Sequence, residues 1–131
     1  MEQTLIVIKP DSIERKLVGD ILSRFEKKEF TIFKMRMFNF TKEQAEEFYL
    51  LHHEKTFFSS LVRFIISGPV VAVILEGSNV IEVVRKMIGS TKSYEAAPGT
   101  IRGDYGLGLT ENIIHASDSK ESFERESKII F

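Results

Sequence analysis

The order of elements predicts an α+β fold, a ferredoxin-like sandwich with a four-stranded antiparallel sheet, helices packed on it and a long glycine-rich loop insertion. Three observations carry that expectation. Short β-rich apolar runs alternate with segments of helical period, and the order reduces to βαββαβ once inserted helices are set aside. An apolar content of 43% over 131 residues suits one domain, 1–131, with its own core. No internal repeat, linker or low-complexity tract interrupts it. The helices are expected on one face of the sheet.

Thr4 to Ile8 is a β-rich apolar run stopped by Lys9-Pro10, the pattern of a buried strand. Asp11 or Ser12 is the expected cap of the next helix, whose apolar face is Leu17, Ile21, Leu22 and Phe25. Phe30 to Phe40 reads as a long second strand, apolar on both alternations. Phe33, Met35 and Met37 fall on one, and Phe30, Ile32, Phe38 and Phe40 on the other. Such a strand is either central in one monomer or paired with another subunit. Thr41 caps a helix that Glu43 to Tyr49 continue, and Phe57 to Ile66 form another. Val70 to Leu75 is an unbroken apolar run, as in a central strand. Ser78 is the expected cap of a helix with Val80, Ile81, Val84, Met87 and Ile88 on its apolar face and Gly89 as its stop. Residues 90 to 110, with Pro98 and glycines at 99, 103, 106 and 108, read as one long functional loop. Asn112 to Ala116 is the last strand and Ser119 to Lys128 the last helix.

Composition removes several classes of function. A net charge of −1 argues against a dedicated nucleic-acid site, since backbone binding needs a basic excess. No run approaches the ~20 apolar residues that span a bilayer, so no membrane partner is expected. The N-terminus lacks the marks of a signal peptide. There is no cysteine, which excludes disulfides and thiolate metal sites. A cytoplasmic location follows as the expectation.

The chemistry concentrates in Asn112-Ile113-Ile114-His115-Ala116-Ser117-Asp118-Ser119. An apolar run delivers a histidine to the start of a helix. A histidine near neutral pH is an uncharged nucleophile, and a helix start offers free N–H groups and a partial positive charge to a phosphate. The plain alternative is a core histidine satisfied by hydrogen bonds. Glu126, two helical turns past Ser119, can reach back to orient the imidazole. Lys9, Arg85 and Arg102 come from separate elements, and a phosphate chain needs such converging donors, guanidinium forks above all. Phe57 at a pocket rim would stack on a base without reading its identity. Gly103-Asp104-Tyr105-Gly106-Leu107-Gly108 is GxxGxG, not the dinucleotide fingerprint, and no P-loop motif occurs. His52-His53-Glu54 lacks the spacing of a metal site.

Together these blocks resemble nucleoside diphosphate kinase of the short, bacterial type. They are Val7-Ile8-Lys9-Pro10-Asp11, Arg85-Lys86-Met87-Ile88-Gly89 with Thr91, Ala97 to Asp104, and Asn112 to Ser119, and the similarity runs from about residue 3 to residue 126. The resemblance implies ping-pong transfer of a γ-phosphate through a phosphohistidine at His115. The substrates would be nucleoside di- and triphosphates (ATP, ADP, GTP, GDP and others). It implies that Lys9, Arg85, Thr91 and Arg102 hold the phosphates, that Asn112 and Lys9 contact the ribose and that Phe57 stacks on the base. Tyr49, Leu61 and Ser117 would complete the pocket, with Glu126 orienting His115. It further implies Mg²⁺ held through the nucleotide phosphates, with no protein metal ligands, and a homo-oligomer, hexamer favoured over tetramer. The chain departs from the family pattern in four places, of which Ala116, where glycine often follows the histidine, is a mild change expected to preserve function. Ser12 stands where glycine is usual, so a slightly different turn after Lys9 is expected. Lys92-Ser93 replaces a common Asn-Pro in the loop that family members use for oligomer contacts, which adds freedom to the unfolded chain, and weaker assembly is expected. The end at Phe131 precedes the C-terminal tail of longer relatives, and a weaker hexamer is expected. A binding module without turnover would instead carry aromatics and basic residues across the sheet face.

Overall fold

The computed structural model describes residues 1–108 and 113–131. Four strands form one sheet: β1 (Glu2–Ile8), β2 (Thr31–Phe38), β3 (Val70–Gly77) and β4 (Ile114–Ala116). Their spatial order is β2-β3-β1-β4 and every neighbouring pair is antiparallel, as the ferredoxin-like reading requires. Among the described residues, seven helices join them: α1 (Pro10–Glu14), α2 (Val18–Lys27), α3 (Lys42–Phe48), α4 (Phe58–Ile65), α5 (Val80–Ile88), α6 (Ile101–Tyr105) and α7 (Lys120–Ile130).

The helices cover both faces of the sheet, not one. Ile6, Ile8, Val71, Val73 and Leu75 pack against Ile21 and Phe25 of α2 and Val80, Val84 and Ile88 of α5. On the other face Leu5, Val7, Ala72 and Ile74 pack against Phe48 of α3, Val62 and Ile65 of α4 and Ile130 of α7. The reason is visible in the central strands, whose apolar runs do not alternate with polar residues. Such strands need cover on both sides.

The second strand is an edge, so the central-strand alternative is removed. A bulge between Ile32 and Lys34 changes its parity. Ile32 pairs with Leu75, while Met35 and Met37 pair with Val73 and Val71, so these three side chains share one face. Lys34, Arg36 and Phe38 take the other. Arg36 there donates to the Ile130 carbonyl at 2.6 Å, fastening the end of α7. Phe33, Met35 and Met37 are 53%, 55% and 60% exposed.

Three helix starts differ from expectation. Neither Asp11 nor Ser12 caps α1: Lys9 is its N-cap and Pro10 its first residue, where a missing N–H costs nothing. The helix then breaks at Lys16, whose φ is +60°, and α2 begins at Val18. Ser78 does not cap α5; the N-cap is Asn79, in the left-handed region at φ +54° with no side-chain bond of its own. Glu2 supplies the acceptor instead, and the Ile81 N–H donates to its Oε1 at 2.9 Å. Thr41 does cap α3, in a reciprocal pairing with Gln44.

The long loop is partly ordered into helix. A 3-10 turn spans Ser93–Glu95, and α6 begins at Ile101 after its N-cap Thr100, whose hydroxyl accepts from the Gly103 N–H. Ser93 is buried and its hydroxyl donates to the Gly108 carbonyl at 3.0 Å. That bond supplies locally some of the order that a proline at this position would have given. Arg24 of α2 clamps the same segment through Asp104 at 2.8 Å and the Gly99 carbonyl at 3.3 Å. Among the described residues, no helix is long and apolar enough to cross a membrane.

The cross-strand cap on α5 has a measurable consequence. Glu2→Ala leaves an N-terminal N–H of α5 without its carboxylate and should cost about 1 kcal/mol, lowering the melting temperature by roughly 4 °C. A thermal melt of the two proteins checks it, and an unchanged midpoint would remove Glu2 as the cap.

Candidate active site

The pocket opens where the ends of several elements meet, and its volume is about 520 Å³. That lies within the usual range for small-molecule sites. β4 is its floor. This three-residue strand pairs with β1 through Ile6–Ala116, Val7–His115 and Ile8–Ile114, which places His115 beside a central, buried strand of the sheet. Lys9 follows β1 directly and lies at the same end.

His115 is held from two sides. Its Nε2 lies 2.9 Å from Oε1 of Glu126, on α7. The Phe48 ring packs against the imidazole at 4.9 Å with an interplanar angle of 66°. The same Glu126 oxygen accepts from the Ser117 hydroxyl at 2.7 Å, and Arg125 lies 3.5 Å from the other oxygen. Burial alone would raise the Glu126 carboxyl. The bond and charge of His115, then Ser117 and Arg125, outweigh burial and hold it below the usual carboxylate range. Glu126 is therefore an ionised acceptor at neutral pH. With Glu126 as the acceptor, Nε2 carries a proton, and in the neutral imidazole the lone pair is then on Nδ1.

Both pocket arginines also grip the backbone around that histidine. Arg102 donates to the Ile114 carbonyl at 2.7 Å and to the Gly89 carbonyl at 3.1 Å. Arg85 donates to the Ala116 carbonyl at 3.2 Å. The two guanidinium groups thus bracket His115, one residue before and one after. Lys9 and Arg102 are each only 4% exposed. Burial, then the charge of Arg102, pulls the Lys9 ammonium down to about 7. Burial, then Arg85, brings Arg102 down to about 10, still charged at neutral pH.

The strand's entry is strained. Ile113 has φ +77°, a conformation costing on the order of 1–3 kcal/mol for such a residue. The Lys9 N–H and the Ser12 hydroxyl both donate to its carbonyl, at 2.9 and 2.8 Å. Ser12 takes its place in α1 with no positive φ, so the serine adds a bond rather than a different turn.

An aromatic wall faces the cations. Tyr49, His52 and Phe57 follow one another at centroid spacings of 6.4 and 5.9 Å. Phe57 precedes α4, is 46% exposed and lines the mouth with Leu61. Burial, then the charge of Glu126, pushes the Tyr49 hydroxyl up, so it stays neutral.

Of the residues expected from sequence, His115, Glu126, Lys9, Tyr49, Phe57, Leu61, Arg85, Thr91 and Arg102 all line this cavity. Ser117 sits behind it, fully buried against Glu126. Asn112 lies outside the described residues, and the last strand begins at Ile114 rather than at Asn112. Sequence reasoning passed over His52, Lys55, Asp118 and Arg125, which also line the cavity. His52 was visible only as part of a poor metal motif. It belongs to the site because a 3-10 turn at Leu50–His52 folds back over the pocket mouth. Asp118 was visible only as part of a helix cap. It accepts from the Ser122 hydroxyl at 2.6 Å, and that bond, with Arg85 nearby, holds it below the usual range.

Five cationic side chains (Lys9, Lys55, Arg85, Arg102 and Arg125) and two carboxylates (Asp118 and Glu126) therefore surround one histidine, in a chain whose net charge is −1. A polyanion is the ligand such a pocket suits. Comparison with known proteins agrees. The family model for nucleoside diphosphate kinase matches residues 2–131. The nucleoside diphosphate kinase of Hyperthermus butylicus is 56% identical over 131 residues, covering 100% of this chain and 92% of that protein. That of Staphylothermus marinus is 55% identical over 130 residues, 99% and 92% of the two chains. Among solved structures, the Aquifex aeolicus nucleoside diphosphate kinase superposes with a TM-score of 0.96 at 48% identity, covering 99% of this chain and 94% of that one. The Halobacterium salinarum enzyme, solved in complex with CDP, gives 0.96 at 43% identity, with 99% and 87% covered. With its fold, its histidine block and its whole length accounted for, the chain belongs to the nucleoside diphosphate kinase family, phosphotransferases that pass the γ-phosphate of a nucleoside triphosphate to a nucleoside diphosphate by a ping-pong route.

Proposed function

We propose that His115 is the phosphate carrier of this phosphotransfer and that Nδ1 is the reacting atom. The observation that carries the reading is the ionised Glu126 on Nε2, because in the neutral imidazole it puts the lone pair on the other nitrogen. The Nδ1 lone pair attacks the γ-phosphorus, the bond from phosphorus to the β–γ bridging oxygen breaks, and the nucleoside diphosphate leaves with that electron pair. The Nε2 proton stays on the ring, where Glu126 and the Ser117 bond behind it stabilise the positive charge the imidazole gains. A second nucleoside diphosphate reverses the step. Holding nucleophile and phosphorus in line contributes roughly 7–11 kcal/mol in such reactions, and the remainder is charge neutralisation on the phosphoryl oxygens.

Lys9, Arg85, Thr91 and Arg102 hold the phosphates in this reading, with Lys55, His52 and Arg125 at the mouth. Phe57 and Leu61 take the base, Tyr49 closes the wall, and Asn112 and Lys9 reach the ribose. Stacking without base-edge hydrogen bonds accounts for use of ATP, ADP, GTP, GDP and others alike. Among the described residues, no group of three or more His, Cys, Asp or Glu side chains converges. In this reading Mg²⁺ would come in on the nucleotide's own phosphates and offset their charge, with Asp118 on the cavity wall. The 131 residues act as one domain. The exposed β2 edge, with Met35 and Met37, and the exposed Tyr94 and Leu107 support a homo-oligomer, hexameric by preference and tetrameric otherwise. A cytoplasmic location accompanies a role in nucleotide pools.

Incubation with labelled Mg·ATP tests the carrier. Label should appear as acid-labile, base-stable phosphate on His115 and be chased off by any nucleoside diphosphate. Wild type that takes no label, or a His115→Ala variant that still does, would sink the assignment.

Lys9 gives a second expectation. Its ammonium titrates near 7 in the ligand-free pocket, and a bound phosphate favours the charged form. Above pH 7 the binding of ADP should therefore take up as much as about one proton, and affinity should fall as pH rises. Calorimetry in buffers of different ionisation enthalpy measures the uptake, and Lys9→Arg should abolish it.

Glu126 gives a third. A carboxyl held low contributes stability that is present above the ordinary carboxylate pKa and is lost as pH falls through its lowered value. Glu126→Gln should flatten the loss of stability below about pH 5, and it should slow phosphorylation of His115 by about tenfold or more. Acid titration followed by circular dichroism, with single-turnover labelling, reads both.

A further inference from the structure

Ser12 is fully buried at the third position of α1. A serine early in a helix ordinarily turns its hydroxyl onto its own backbone. This one does not: it donates to the Ile113 carbonyl at 2.8 Å, across 101 residues of sequence. The same oxygen accepts the Lys9 N–H at 2.9 Å. One carbonyl thus receives two donors from the turn that carries the pocket lysine, and it belongs to the positive-φ residue that leads into β4. The next carbonyl, that of Ile114, is held by Arg102, and His115 follows. Without its two donors the strained Ile113 peptide would be free to relax, and the residues after it would shift.

We infer that Ser12 is a positioning residue for phosphoryl transfer: its hydroxyl locks the Ile113 carbonyl and thereby sets the spacing of Lys9 and His115. This rests on His115 as the phosphate carrier. Ser12 does not line the nucleotide cavity, so its effect falls on the rate of transfer rather than on nucleotide affinity. Displacements well under 1 Å suffice, since a misplacement of about 1 Å costs on the order of a hundredfold.

The test is single-turnover phosphorylation by Mg·ATP, with ADP affinity measured by calorimetry and folding by thermal melting. Ser12→Ala should slow labelling of His115 by about five- to twentyfold with ADP affinity within about twofold. Ser12→Thr, which keeps the donor, should recover most of the rate. If the added methyl prevents folding, Ser12→Cys, with a similar size and a weaker donor, should fall between wild type and Ser12→Ala. The inference is overturned by a Ser12→Ala variant that labels at the wild-type rate or loses rate and ADP affinity in equal proportion. A folded Ser12→Thr no faster than Ser12→Ala overturns it too. Wild type that carries no phosphate on His115 overturns the carrier reading itself, whereas labelled wild type with an unaffected Ser12→Ala overturns only the role of Ser12.

Discussion

The bond between Glu126 and His115 is the constraint on which the pocket depends. A carboxylate that is only 5% exposed stays ionised because it has three partners: the imidazole, the Ser117 hydroxyl and the Arg125 guanidinium. Remove the partners and burial would favour its neutral form. The carboxylate in turn decides which ring nitrogen carries the proton. The tautomer of the neutral His115 ring is therefore set by α7, the element that follows, and not by the strand on which the histidine sits.

Around that bond the structure accumulates like charges. Lys9 and Arg102 are buried together, and each is weakened by burial and by a cationic neighbour. This is unfavourable for the ligand-free protein and favourable for one bound to a polyanion. The backbone compensates in part. Carbonyls of Gly89, Ile114 and Ala116 accept from the two arginines, so the guanidinium groups are neither free to swing nor wholly unscreened. The same bonds make β4 rigid although it is only three residues long. Strain at Ile113 is stored where two further donors can hold it. The cationic lining of the pocket and the placement of His115 thus come from one set of contacts.

Much of the fold was legible because the signals are local. Thr41 and Gln44 form a capping pair within four residues, and Gly89 stops α5. What was misread depended on partners distant in sequence. Glu2 caps α5 across 79 residues, so Ser78 looked like the better candidate. The bulge at Phe33 reverses the parity of half of β2, and no residue type announces a bulge. The helix within the glycine-rich loop was hidden because Arg24 and Asp104 secure it from outside. Unbroken apolar runs in β1 and β3 did announce two covered faces, yet the helices were expected on one. Of the nine expected residues that line the cavity, Lys9, Arg85, Thr91, Arg102 and His115 lie in the motif blocks, Glu126 follows from helical spacing, and Tyr49, Phe57 and Leu61 rest on the family resemblance. His52, Lys55 and Arg125 were not expected, since each is an ordinary polar side chain until the chain folds it over the pocket.

By itself the sequence determined the element types, the antiparallel four-stranded class, the histidine block and the cations that accompany it. These follow from periodicity, caps and residue chemistry, which act over a few positions. Only the tertiary structure decided which nitrogen of His115 is free, which carbonyls restrain Arg85 and Arg102, that the second strand is an edge, and that Ser12 bonds to Ile113. Each of these depends on contacts between separate elements, from 11 residues apart for His115 and Glu126 to 101 for Ser12 and Ile113. Their distances and burial exist only after the sheet has closed, because hydrogen bonding and desolvation act through space and not along the sequence.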